Sequence, residues 1–152
     1  MIAELEELYR ARRPEFCRVA AAIAGDRGLG EDAVQEAFAK AVRKRRSYRR
    51  RGSLEAWVWR IVVNAARDAR RRRPLFPEPG ELRLAEMNGH GPTLPLELLT
   101  ERQREVLFLH YYADLDYATI ADTLGISPGT VGATLSTARG VLRRALTHEV
   151  TQ

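Results

Sequence analysis

Residues 116–142 read DYATIADTLGISPGTVGATLSTARGVL, two apolar-periodic stretches divided at Gly125. The spacing predicts a short helix from about Asp116 to Leu124, closed by a glycine suited to the left-handed conformation that ends a helix. Ser127 and Pro128 follow as the N-cap and first-turn proline of a second helix. With Ala121, Gly125 and Val131 at the small, turn and apolar positions, the pair has the pattern of a helix-turn-helix. A plain helical hairpin is the alternative. Upstream, Thr100 and Gln103 are spaced as a capping box ahead of Val106, Leu107 and Leu109, which predicts a further helix.

Three more helices can be read in the first half of the chain. Leu5, Leu8, Phe16, Val19 and Ile23 fall near one helical face, with Pro14 predicting a kink or a break. After Gly28 and Gly30, the residues Val34, Ala37, Phe38, Ala41 and Val42 follow the i, i+3, i+4, i+7, i+8 pattern of an amphipathic helix. Its acidic start, Glu31 and Asp32, and basic end, Arg43 to Arg46, suit the helix dipole. Ser53 is a candidate N-cap for a third helix with Leu54, Trp57, Val58, Ile61, Val62 and Ala65 on its apolar face, stopping at Pro74. From Pro74 to about Leu96 prolines and glycines recur without periodicity, as in a linker. The expectation is an all-α chain of two small helical domains, 1–73 and 98–152, joined by a flexible linker over 74–97.

Charge divides the same way. Between Met1 and Arg73 there are 19 Lys and Arg against 10 Asp and Glu, a net +9, whereas six against ten from Pro74 onward give −4. The imbalance assigns polyanion binding mainly to the first domain. Cys17 is the only cysteine, which excludes an intrachain disulfide, and it is expected to be buried in the first helix. No apolar run has the length of a membrane span and the start MIAELEELYR is unlike a signal peptide, so a cytoplasmic protein is expected. His90, His110 and His148 are scattered, and no metal-ligand spacing, phosphate loop, nucleophile motif or carboxylate pair stands out. The sequence thus points away from an enzyme and implies no metal or cofactor.

The densest charge lies in RKRRSYRRR, Arg43 to Arg51, where seven of nine residues are basic and Tyr48 sits among them. Such a segment neutralises phosphates and offers a ring for stacking on an unpaired base; a solvated helix end is the bland alternative. Arg60, Asn64, Arg67, Asp68, Arg70 and Arg71 follow on the next helix and combine phosphate-pairing cations with side chains able to bond base edges. Trp57 and Trp59, two apart, cannot both face one core, so one of them is expected to be partly exposed and available to stack or wedge. Asp32, Gln35 and Glu36 form an acidic edge on an otherwise basic unit, fit either for a basic protein partner or simply for solvent.

Together these stretches resemble the small two-domain sigma factors of bacterial RNA polymerase, of the extracytoplasmic-function type. EDAVQEAFAKAV is similar to that family's polymerase-clamp-binding helix, and SLEAWVWRIVVNAARDARRRR to its promoter-melting helix. LTERQREVLFLHYYADLDYATIADTLGISPGTV resembles the start of its fourth conserved region. The resemblance implies that Asp32, Gln35 and Glu36 meet the clamp helices of the beta-prime subunit. It implies that the Tyr48 to Ser53 loop, with Arg49, Arg50, Arg51 and Ser53, together with Asn64, Arg67 and Asp68, engages the unpaired strand of the −10 element; Trp57 or Trp59, Arg60, Arg70 and Arg71 are candidates for the same strand on their own chemistry. The second domain is expected on the beta flap, reading the −35 element, with an inhibitory anti-sigma partner as a further family expectation and no additional domain after Gln152.

One part departs from the family pattern. With Val131, Leu135 and Leu142 facing inward, a helical wheel turns Gly129, Thr130, Gly132, Ala133, Ser136, Thr137 and Gly140 outward, and none is charged. Family members commonly carry Lys or Arg where this chain has Gly132, Thr134 and Thr137. Only Arg139, then Arg143 and Arg144, remain for phosphates, so weak reading of upstream DNA is expected. Ser127, Thr130, Ser136 and Thr137 retain hydrogen-bonding groups, and Ala133 can touch a thymine methyl. This departure motivates a second reading, a sigma-like adaptor that binds polymerase or a protein regulator with little sequence-specific reading by its second domain.

Overall fold

The computed structural model describes residues 1–49, 52–72 and 95–150. Among these are six α-helices and two single turns of 3-10 helix, and no strand: α1 (Ile2–Ala24), α2 (Arg27–Arg43), α3 (Leu54–Arg71), α4 (Glu101–Tyr111), α5 (Tyr117–Leu124) and α6 (Pro128–Val150). The two short turns are Arg45–Ser47 and Leu96–Leu98. The 74–97 linker reading falls mostly outside the described residues.

Local chemistry sets the helix limits. Asp26 caps α2 by accepting from the Leu29 amide at 2.8 Å, so that helix begins ahead of Gly28 and Gly30 rather than after them. Ser53 caps α3 by accepting from the Ala56 amide at 3.0 Å. Before α4 the Thr100 hydroxyl accepts from the Gln103 amide at 3.1 Å while the Gln103 side chain accepts from the Thr100 amide at 2.9 Å, the reciprocal capping box read from the sequence. Asp116 caps α5 and Gly125, at φ 69°, closes it, bringing the Ile126 amide to the Ala121 carbonyl. Of the kink or break expected at Pro14, the break is absent: α1 runs through it, held by Phe16, Val19, Ala20 and Ile23 packed below.

α1, α2 and α3 pack on one another around Leu5, Phe16, Val19, Val34, Phe38, Val58, Trp59 and Val62. Gly30 is what lets α1 and α2 approach, because a Cβ there would lie 2.5 Å from the backbone of Ala21. In the second half α4 and α5 pack against α6 around Val106, Phe108, Leu109, Ile120, Val131, Leu135 and Ala138. The two halves also touch, α5 resting on α3 and α4 on α1. Cys17 is half-buried rather than buried, and burial pushes its thiol above the ordinary range.

Candidate nucleic-acid interface

On α3 the structure separates the two tryptophans. Trp59 is completely buried, its ring centroid 4.2 Å from that of Phe16 and its indole nitrogen donating to Glu55 at 3.4 Å. The expectation that it stacks on DNA is therefore corrected: Trp59 belongs to the core. Trp57, two positions round the helix, is half-buried and meets the Tyr48 ring at 5.4 Å. Tyr48 in turn donates its hydroxyl to the Gly52 carbonyl at 2.8 Å, tying both ends of the basic loop together beside Trp57. Arg49 is exposed on this loop; Arg50 and Arg51 lie outside the described residues. Ser53 is occupied as the α3 cap.

Farther along α3, Arg60, Asn64 and Arg67 share one stripe, three and four residues apart, and that stripe faces the second domain. Arg67 places a two-pronged fork on Glu105, Nε at 2.7 Å and Nη2 at 2.5 Å, while Nη1 donates to Asn64 Oδ1 at 3.3 Å. Glu105 is only 1% exposed, and its hydrogen bonds hold the Arg67 guanidinium above its ordinary pKa. Arg60 donates Nη2 to the Asp122 carbonyl and Nε to the Thr123 carbonyl at 3.4 Å, at the end of α5. A polar crevice of about 160 Å³ lies between Arg60, Asn64, Arg67 and Thr123. Asp68 and Arg71 form an exposed pair at 3.6 Å, and Arg70 donates to the Ile23 carbonyl at 3.4 Å within the first domain. The −10 residues read from sequence are thus dispersed: a loop around Tyr48 and Trp57, a stripe of Arg60, Asn64 and Arg67 covered by the second domain, Asp68 and Arg71 exposed beyond it, Arg70 turned onto the first domain, and Trp59 in the core.

On α2, Asp32, Gln35 and Glu36 are exposed on one stripe opposite the buried Ala33, Val34, Ala37 and Phe38. Glu36 has Arg72 at 3.9 Å, a solvent-screened pair.

On α6 the outward face is uncharged as expected, but several of its groups are already engaged. Ser127 accepts from the Thr130 amide at 3.1 Å and shares a hydrogen bond with the Thr130 hydroxyl at 2.8 Å. Thr137 donates back to the Ala133 carbonyl at 3.0 Å. Thr134 is half-buried, whereas Ala133 and Ser136 are exposed. Gly132 is partly covered by Tyr117, whose Cε2 would lie 3.3 Å from a Cβ at that position. Arg139 donates to the Tyr111 hydroxyl at 2.7 Å and lies 5.5 Å from that ring's centre.

Reading the sequence alone missed Glu105, Asp122 and Arg12, whose Nη2 donates to the Ala113 carbonyl just beyond α4. Nothing in the sequence named these partners: residues 98–152 are nearly neutral, five Arg against six Asp and Glu, and two of the three contacts run to backbone carbonyls. Among the described residues no group of three or more His, Cys, Asp or Glu is arranged to hold a metal, and no helix is long and apolar enough to cross a membrane.

Two family models match the chain, Sigma-70 region 2 over residues 8–74 and Sigma-70, region 4 over residues 96–142. The chain is 31% identical over 146 residues to the probable RNA polymerase sigma factor RfaY of Xanthomonas campestris, covering 84% of this chain but only 36% of RfaY. It is 30% identical to the ECF RNA polymerase sigma factor SigM of Mycobacterium tuberculosis, covering 93% of this chain and 76% of SigM. The fold is similar to that of the sigma factor RpoE of Bartonella quintana, solved with the anti-sigma factor NepR, at a TM-score of 0.70 and 23% identity over 95% of this chain and 97% of RpoE. With its basic three-helix unit, its helix-turn-helix and both conserved regions in order, the chain belongs to the sigma-70 family, among the extracytoplasmic-function sigma factors.

Proposed function

We propose that this chain joins core RNA polymerase, brings it to promoters and holds the melted −10 strand on its first domain. The observation that carries this reading is the α3 surface. A basic loop braced by Tyr48 and Trp57 continues into the Arg60, Asn64 and Arg67 stripe, a combination of stacking ring, phosphate-pairing cations and base-edge donors suited to an unpaired strand. Asp32, Gln35 and Glu36 offer the polymerase clamp an acidic, hydrogen-bonding stripe on rigid helix, and the flap of the beta subunit is the seat of the second domain. An anti-sigma factor is the expected protein regulator. The cytoplasm, where polymerase works, is the expected location.

Replacing Arg49, Arg50 and Arg51 with alanine tests the strand site. Binding of holoenzyme to forked promoter DNA is expected to fall steeply, and the dependence of log K on log salt to flatten by about 0.7 for each phosphate that no longer has a cation beside it. An unchanged slope removes the loop from the interface.

The uncharged α6 face favours a second reading, in which the protein docks on polymerase but its second domain contributes little sequence reading. Start sites that ignore upstream sequence while still depending on the −10 element would select it.

A further inference from the structure

Of the three arginines that α6 carries within residues 128–147, Arg139 is the one held in place. Its Nε donates to the Tyr111 hydroxyl at 2.7 Å, and its guanidinium carbon lies 5.5 Å from the centre of that ring. The two terminal amino groups have no hydrogen bond or ion pair among the described residues, and neither do the side chains of Arg143 and Arg144. Tyr111 has little work in the core. It ends α4, is 55% exposed, and leaves the packing to Tyr112, which stacks on Phe108 at 5.8 Å. Gly132, Ser136, Arg139 and Arg143 form the row of α6 that borders the buried row Val131, Leu135, Ala138 and Leu142. A helix laid in the major groove turns its outermost row to base edges and its bordering rows to the phosphates on either side. Arg139 therefore stands where a backbone contact is made, with the outer half of its guanidinium free.

We propose that Tyr111 is a positioning residue for upstream DNA: it aims the Arg139 fork at a backbone phosphate and so gives the uncharged face of α6 a preset grip. The proposal rests on the reading of α6 as the face that meets duplex DNA. An arginine without a partner samples many rotamers and loses that freedom when it takes a phosphate. Here Nε is already bonded and the guanidinium is backed by a ring, so Nη1 and Nη2 are presented together. A phosphate accepts from both in the two-pronged manner that a lysine cannot match. Tyr111 acts through Arg139 and needs no contact with DNA of its own. Such a grip carries no sequence information, so it adds affinity without adding a read base.

Because a backbone grip ignores sequence, the test needs no known promoter. The full-length chain is titrated by fluorescence anisotropy, over a range of salt, onto two short fluorescein-labelled duplexes of unrelated sequence. Arg139→Ala is expected to weaken binding to both and to flatten the slope of log K against log salt by about 0.9, the loss of one phosphate contact. Tyr111→Phe keeps the ring and drops the hydroxyl. It is expected to weaken binding to both duplexes by about three- to tenfold in the parental chain, and to change nothing further once Arg139 is alanine. Its melting temperature is expected to match the parent's, since Tyr111 is exposed, which separates aiming from folding. Tyr111→Phe that binds like the parent, or that loses as much with Arg139→Ala as without it, overturns the proposal. So does an Arg139→Ala slope equal to the parent's, or a loss confined to one duplex. Gly132→Lys tells that failure apart from failure of the α6 reading: tighter binding with a steeper slope keeps α6 on DNA. If Gly132→Lys and Arg139→Ala both leave duplex binding unchanged, or the parental chain binds neither duplex at low salt, the α6 reading falls and the proposal with it.

Discussion

Trp57 and Trp59 should part company when each is replaced by alanine. Trp59 is completely buried against Phe16, so its removal takes a large ring from the centre of the first domain. Losing that packing and leaving a cavity costs about 3–5 kcal/mol, a drop of well over 10 °C in the Tm of a domain of about 70 residues. Trp57 is half-buried and its packing partner is Tyr48 at 5.4 Å. Its loss removes that aromatic pairing, about 0.5–1.5 kcal/mol, and part of its packing on the core, and so lowers Tm by less than loss of Trp59. Stacking on an unpaired base is worth about 1–3 kcal/mol, so Trp57→Ala should weaken binding of holoenzyme to forked promoter DNA by roughly 5- to 150-fold. Thermal unfolding followed by far-ultraviolet circular dichroism reads the first effect, and fluorescence anisotropy with fork-junction DNA reads the second. A Trp59→Ala protein with an unchanged Tm, or a Trp57→Ala protein that binds forked DNA like the parent, would refute the assignment of one ring to core and the other to strand.

Gly30→Ala should lower stability by about 1–2 kcal/mol in urea unfolding, since the strain of forcing α2 from the Ala21 backbone exceeds the gain in helix propensity; a stabilised variant would contradict the close approach. Replacing Asp32, Gln35 and Glu36 together with alanine should leave Tm nearly unchanged, because all three are exposed, but reduce capture by core polymerase at least tenfold in a pull-down titration; equal capture would free this stripe from the clamp assignment. Gly132→Lys should tighten holoenzyme binding to upstream duplex and steepen its salt slope by about one, while moving the Tyr117 ring aside; an unchanged slope would mean that this face does not approach phosphate.

Most of the helices were legible because they are marked locally. The Thr100–Gln103 capping box, the Ser53 and Asp116 neighbourhoods, and Gly125 between two apolar-periodic stretches each have a short-range cause, and each recurs in the structure. Pro14 does not break α1 because packing of Phe16 and Val19 outweighs one missing helical hydrogen bond. Spacing predicted that Trp57 and Trp59 could not share an environment, but the apolar periodicity put Trp57 on the inner face, whereas the structure buries Trp59; that depends on Phe16, more than 40 residues away in the chain. The site was legible as a set of chemical types and illegible as an arrangement. Glu105 precedes the apolar run Val106–Leu109 and reads as an ordinary helical carboxylate, while its partner Arg67 lies 38 residues earlier. Tyr117 over Gly132 and Tyr111 under Arg139 are likewise pairings between helices, which no periodicity within one helix reports.

Directing initiation, as opposed to only binding polymerase, leaves a product that can be mapped. Run-off transcription from a genomic fragment library, with purified core polymerase in the presence and absence of the protein and with every new 5′ end located, reads it without intermediates. New start sites are expected to share a common −10 motif, joined by a weaker upstream element in keeping with the uncharged face of α6. Co-purification with polymerase and no new start site would contradict the initiation role.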